Sequence, residues 1–213
     1  MKVLIGTGNP GKIAEMALCL REAGLEPVSG AEYPLEAAET GASPEENARL
    51  KAAAYCRASG LPAVSFDSGL YLAELPMDDP RQPGLCVRRV GGKRLSDGEM
   101  VSHYAALAAS LGGRVLCRWV TGYAVCLPDG RTASGNDAAG QPKAWQFYLT
   151  DEPCGDPLPG KPLSCISLEG DTGEYVNRSG RDGASARRRA AIYRRAAGEL
   201  RRLLEEVCGD EGD

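Results

Sequence analysis

The sequence predicts an α/β protein built on a mixed sheet, and three observations predict it. Short apolar runs of β type at residues 2–5, 61–66 and 70–75 alternate with helix-patterned segments at 11–23, 43–59 and 96–112. A longer β run at 114–127 meets Pro128-Asp129-Gly130, a turn that folds the chain back into a partner strand and brings antiparallel pairing into the sheet. A chain of 213 residues suffices for one domain spanning 1–213, with room for two lobes around a cleft.

Each element has a local reason. Val3, Leu4 and Ile5 make a short buried strand. In 11–23, Ile13, Met16, Ala17 and Leu20 share one helical face, and Gly24 suits the stop. The helix at 43–59 has Ser43 as N-cap, Pro44 at its first position, Glu46 to complete a capping box and Gly60 to end it. Residues 76–84 read as a loop, and Ser96 with Glu99 form a second capping box. The strand at 114–127 has a candidate bend at Gly122. Residues 151–162 and 169–184 are rich in Gly, Pro and charge and read as loops. The last helix runs from about Ser185 to Val207, with Ile192, Ala196, Leu200, Leu203, Leu204 and Val207 as its apolar stripe. Its arginines (187–189, 194, 195, 201 and 202) read mainly as a solvated face. No internal repeat is present.

Composition removes several function classes. The chain is 43% hydrophobic and 25% charged, so an ordinary core is expected, and at 6% aromatic content aliphatic side chains must fill it. A net charge of −4 argues against a protein that coats nucleic acid, although a nucleotide site needs only local positive charge. None of the eight cysteines forms a C-x-x-C pair, which argues against structural zinc. The stretch before Gly6 is too short for a signal peptide, and no apolar run is long enough to span a membrane. The expectation is a reduced, soluble, cytoplasmic protein without nucleic-acid or membrane partners. Acid–base chemistry falls to carboxylates and lysines, because the sole histidine, His103, lies inside a helical segment.

Three segments concentrate chemistry. Gly6-Thr7-Gly8-Asn9-Pro10-Gly11-Lys12 stands between a strand and a helix, where exposed N–H groups and a lysine suit a phosphate. It matches the phosphate-loop pattern of nucleoside triphosphatases up to Lys12. Ile13 then stands where the magnesium-binding hydroxyl belongs. A plain strand-to-helix turn is the other reading. In 39–55, Asn47 and Lys51 share a helical face, Glu46 reads as a cap, and Glu39 on the preceding loop is the better metal ligand. In 65–70, Asp67 follows an apolar strand, either facing a ligand crevice or making an Asx-turn.

Together these segments resemble the inosine triphosphate pyrophosphatase family, which hydrolyses non-standard purine nucleoside triphosphates to monophosphate and pyrophosphate. Its T-G-N-x-x-K motif is matched by Thr7, Gly8, Asn9 and Lys12. Its E-T-G and E-N-A-x-x-K-A motifs are matched by Glu39, Thr40, Gly41, Glu46, Asn47, Ala48, Lys51 and Ala52. Its D-D-S-G-L motif is matched by Asp67, Ser68, Gly69 and Leu70, with Phe66 in place of the first acid, which in the family belongs to the metal and catalytic cluster. Of P-G-x-x-S-A-R-Y only Pro83, Gly84 and Arg89 remain. The base-pocket motif G-F-G-Y-D-P is reduced to Asp156-Pro157, and the closing S-H-R appears as Ser185-Ala186-Arg187.

The resemblance implies a long twisted mixed sheet with flanking helices, two lobes and a central cleft. It implies Asp67 as general base, with Lys12 and Lys51 on the triphosphate. Thr7, Gly8, Asn9, Ser68 and Gly69 would line the substrate, as would the backbone N–H groups of residues 7–12. Arg89, Ser185 and Arg187 are weaker candidates for phosphate or base contacts. Magnesium, or manganese, would be held by Glu39, Asp67 and the phosphates. A homodimer is expected. The alternative is a nucleotide-binding homologue with little or no catalysis, because Phe66 replaces an acid.

Overall fold

The computed structural model describes residues 1–35, 37, 39–138, 141, 145–179 and 184–209, without the side chains of 184 and 185. In chain order the elements are β1 (Lys2–Ile5), α1 (Pro10–Glu22), β2 (Glu26–Val28), α2 (Pro44–Ser59), β3 (Ala63–Leu72), β4 (Arg89–Val90), β5 (Lys93–Arg94), α3 (Asp97–Ser110), β6 (Arg114–Cys126), β7 (Thr132–Asn136), β8 (Phe147–Thr150), β9 (Ser167–Glu169) and α4 (Ala184–Gly209). Short 3₁₀ turns lie at Gly30–Glu32 and Pro162–Cys165. A seven-stranded sheet has the order β2-β1-β3-β6-β8-β9, with β7 also paired to β6, and β4 and β5 form a separate ribbon. β1 runs parallel to β2 and β3. β6 is antiparallel to β7 and β8, and β8 to β9. The sheet is therefore mixed, as the hairpin predicts.

The chain divides into two compact units. The first comprises residues 1–68, 121–139 and 189–213. Its strands alternate side chains between two faces. Val3, Ile5, Val64, Tyr123 and Val125 face α1 and α4, where Met16, Leu20, Leu200, Leu203 and Val207 cover them. Leu4, Ala63, Ala124 and Cys126 face α2, against Ala48, Ala52 and Tyr55. This is a three-layer α/β sandwich with aliphatic cores, as the scarcity of aromatics requires. Burial pushes the Cys19 thiol up to about 11, so it packs in this core as an un-ionised apolar group.

The start of α2 decides where its side chains fall. Ser43 Oγ accepts from Glu46 N at 3.1 Å, and Pro44 occupies the first turn. The expected capping box is only half made. Glu46 Oε2 accepts from Ala42 N–H at 2.8 Å instead of from Ser43, because the loop before the cap folds back over the helix end. This first turn lies on β6 at Gly122. A Cβ there would stand 2.2 Å from Glu45 N and 2.4 Å from Glu45 Cα. The glycine at this position admits the end of a helix.

The second unit comprises residues 69–120 and 140–188. Its core joins Leu70, Leu72, Val115 and Leu149 to Met100, Tyr104 and Leu107 of α3 and Ile166. The Ser96–Glu99 capping box is closed in both directions, as expected.

Three expectations need revision. The two β runs around Asp67 are one continuous strand, β3, so Asp67 lies inside a strand and not in an Asx-turn. The loops read at 151–162 and 169–184 are trimmed by the 3₁₀ turn at Pro162 and by β9, and residues 180–183 lie outside the described residues. Arg188 leaves the solvated face of the last helix. Its side chain is 13% exposed and pairs with Glu169 at 2.7 Å and with Asp171. Arg187, Arg194, Arg195, Arg201 and Arg202 are exposed as that reading expects, and Arg202 pairs with Glu199 and Glu206 one turn away on either side. Among the described residues no helix is long and apolar enough to cross a membrane.

Gly122→Ala should force the α2 end off the sheet and cost about 2 kcal/mol or more of stability. A urea-unfolding midpoint unchanged from wild type would contradict this account of the α2–β6 contact.

Candidate active site

The strand-to-helix loop at residues 6–12 is tied to β3 before it does anything else. Gly6 N donates to Val64 O at 2.7 Å, and Ser65 Oγ donates to Gly6 O at 2.9 Å. Asn9 then caps α1, its Oδ1 accepting from Gly11 N at 2.9 Å and Lys12 N at 3.2 Å. Thr7 N donates to Ile5 O, and Asn9 N to Thr7 Oγ1. Pro10 carries no N–H. Most backbone donors expected to cradle a phosphate are therefore used inside the loop. Among the described residues, Gly8 N–H and Asn9 Nδ2 are the polar donors of 7–12 backbone and cap that remain open, beside the Lys12 ammonium.

Asp67 is the centre of the charge cluster. It is 8% exposed and lies on the α2 face of β3. Lys51 Nζ donates to its Oδ1 at 2.7 Å, and Asn47 Nδ2 to its Oδ2 at 3.1 Å. Lys12 Nζ stands 3.7 Å from Oδ1. Lys51 also meets Glu39 Oε1 at 2.6 Å, so two carboxylates converge on one ammonium. The helical spacing of 47 and 51 explains the geometry: residues four apart lie one above the other, and each engages one oxygen of the same carboxylate.

The two lysines respond oppositely. Burial works against charge on Lys51, but the hydrogen bonds to Asp67 and Glu39 outweigh it and hold its pKa above the ordinary lysine value. Burial and the neighbouring Lys51 charge pull Lys12 below that value, against a weaker pull from Asp67 and Glu39. Lys12 is thus the cation whose charge burial and Lys51 disfavour. An arriving anion would stabilise that charge.

Of the residues predicted from sequence, Lys12, Glu39, Lys51 and Asp67 come together in the first unit, with Thr7, Gly8 and Asn9 on the loop that carries Lys12. Ser68 faces the other side of β3 and shares a 3.2 Å hydroxyl contact with Thr121. Gly69 is buried in the strand and belongs to the second unit. Arg89, on β4, and Arg187, in the first turn of α4, are both exposed. The Ser185 side chain lies outside the described residues. Asn47 had no assigned role, although its spacing from Lys51 pointed to this face.

Phe66 is the main correction to the site as read from sequence. Its ring packs edge-on against Tyr123 at 4.9 Å, on the α1–α4 face and opposite Asp67. It lies outside the carboxylate cluster.

Two converging carboxylates beside a phosphate-type loop fit a hard divalent cation that takes its remaining ligands from water and phosphate oxygens. Among the described residues no group of three or more His, Cys, Asp or Glu side chains could hold a metal without such help.

Fold and site define a class: a mixed α/β protein with paired lysines and carboxylates set beside a capped strand-to-helix loop. The Ham1 family profile matches residues 3–138. A dITP/XTP pyrophosphatase of Nitratidesulfovibrio vulgaris is 32% identical over 212 residues, covering 95% of this chain and 94% of the relative. A dITP/XTP pyrophosphatase of Yersinia pseudotuberculosis is 41% identical over 99 residues, 46% of this chain and 48% of that protein, so the match spans about half of that relative's length. A crystal structure of a nucleoside-triphosphatase / dITP/XTP pyrophosphatase from Mycobacterium abscessus superposes with TM-score 0.62 at 25% identity, covering 94% of this chain and 98% of the other. A HAM1 protein from Coxiella burnetii shares the fold with TM-score 0.68 at 22% identity, covering 97% and 99%. The chain belongs to the Ham1 family.

Lys51→Met would leave two carboxylates facing each other, one of them buried, and should cost about 3 kcal/mol. Lys51 holds its proton more tightly folded than unfolded. Its contribution is therefore complete below the unfolded lysine value of 10.5 and disappears as pH rises through the higher folded value. The gap between wild-type and Lys51→Met unfolding midpoints should stay constant through neutral pH and close in the alkaline range.

Proposed function

We propose that this chain hydrolyses a nucleoside triphosphate between its α- and β-phosphates, releasing nucleoside monophosphate and pyrophosphate. The observation that carries the reading is the buried Asp67 carboxylate, held by Lys51 and Asn47 next to Lys12. Lys12, on the end of α1, and Lys51 hold phosphate oxygens. Gly8 N–H and Asn9 Nδ2 add donors to the same anion. Asp67 orients a water and accepts its proton as the oxygen attacks phosphorus, and pyrophosphate leaves with the bonding electrons. The relatives named dITP/XTP pyrophosphatase support a purine triphosphate with a non-standard base as substrate.

Charge balance supports a metal requirement. Two lysines and two carboxylates cancel formally, so a polyanionic triphosphate arrives at a cluster with no net positive charge. Glu39 and Asp67 would hold magnesium or manganese together with the phosphates, and the ion would neutralise charge that grows in the transition state. A homodimer, carried by family resemblance alone, is part of the same proposal, as is the cytoplasmic location expected from the cysteine usage.

The alternative of a binding protein without turnover rested on Phe66. The ring's packing on Tyr123, away from Asp67, supports the catalytic reading instead.

A pyrophosphate-release screen over standard, deaminated and oxidised nucleoside triphosphates, with magnesium or manganese, tests the proposal. Turnover should depend on the metal, and Asp67→Asn should lower kcat by about 100-fold or more. Orthophosphate as the first product, or Asp67→Asn with wild-type activity, would sink it. Phe66→Asp should not raise turnover. By burying a carboxylate against Tyr123 it should lower stability by about 2 kcal/mol or more, read from thermal unfolding.

A further inference from the structure

We infer that Asn47 is a positioning residue: a buried amide that orients the Asp67 carboxylate and ties it to the loop bearing Glu39. The inference rests on the reading of Asp67 as general base. Asn47 is 3% exposed, so it does not present itself to a ligand. Its Nδ2 donates to Asp67 Oδ2 at 3.1 Å, while its Oδ1 accepts from Gly41 N at 2.8 Å.

The chemistry allows one orientation of this amide. A flip would place the carbonyl oxygen against the carboxylate and the NH₂ group against the Gly41 N–H. Nor is the side chain occupied with capping, because Ser43 caps α2 and Gly41 lies before the helix. The loop has no slack at this point. A Cβ on Gly41 would stand 2.8 Å from Asn47 Oδ1 and 2.7 Å from Glu46 Cβ, so only glycine brings the loop this close.

The consequence is a divided hold on Asp67. Lys51 has Oδ1 and Asn47 has Oδ2, so the carboxylate cannot turn about its own bond. Oδ2 keeps a second lone pair for the proton of the attacking water. Through Gly41 the same amide places the Glu39 segment, two residues earlier, beside that carboxylate.

Asn47→Asp keeps the shape and the Gly41 bond but sets an acceptor and a like charge against Asp67. Asn47→Ala removes both bonds. With the full chain and the best triphosphate from the screen, kcat should fall about 10- to 100-fold in both variants while KM changes little. The split between kcat and KM separates positioning of Asp67 from substrate binding. A kcat near wild type in both folded variants overturns the inference, and so does a KM that rises in step with the fall in kcat.

If neither variant folds, wild-type NMR decides. One Asn47 side-chain amide proton, held by Asp67 Oδ2, should exchange slowly with solvent, and fast exchange of both amide protons rejects the coupling. Absence of pyrophosphate release from wild type would instead reject the proposed activity, and the amide exchange would still decide whether Asn47 and Asp67 are held together.

Discussion

The Lys51 ammonium, held between Asp67 and Glu39, is the interaction on which the rest of the site depends. A buried carboxylate inside a β-strand needs hydrogen-bonding partners, and here a lysine and an amide from one helix supply them. That arrangement constrains the scaffold. α2 must start at a defined residue, so Ser43 and Pro44 cap it. It must also lie close to β6, so a glycine stands at 122. Once both conditions hold, helical geometry alone delivers Asn47 and Lys51 to the two oxygens of Asp67.

The loop at 6–12 shows how a similar string of residues can serve a different design. A phosphate loop binds its ligand with backbone N–H groups. In this chain Asn9 takes two of those groups for the helix cap, and Pro10 lacks one. In the proposed function the loop's contribution to an anion is then mainly the Lys12 ammonium. The carboxylates come from two other segments, one before α2 and one inside β3. This explains why Ile13 is tolerated: the hydroxyl that a phosphate loop requires has no counterpart in such a site. Ile13 packs against the core of the first unit instead.

Long elements were legible in the sequence because their signals are redundant. α2 has an N-cap, a proline and a glycine stop, and α3 has a capping box that closes in both directions. The cluster was legible because Glu39, Lys51, Asp67 and Lys12 stand in motifs whose order and spacing agree. β2, β8 and β9 were not legible. At three or four residues each they are too short to show a period, and pairing with neighbours makes them strands. The contact at Gly122 was not legible, because a sequence does not show which helix lies over a strand. The placement of Phe66 was hidden for a related reason. Adjacent strand residues point to opposite faces, so standing next to Asp67 in sequence places the ring away from it in space.

By itself, the sequence determined the α/β class, the helix limits and the four charged residues of the site, because caps, periodicity and motif spacing act over a few residues. Only the tertiary structure decided which charges meet and which face each side chain takes. It merged two strand segments through Asp67, packed Phe66 against the core and gave Asn47 two partners, Gly41 and Asp67, six residues back and twenty residues on in the chain. Those outcomes depend on how α2 lies over the sheet, a packing relation between distant segments that no local pattern encodes.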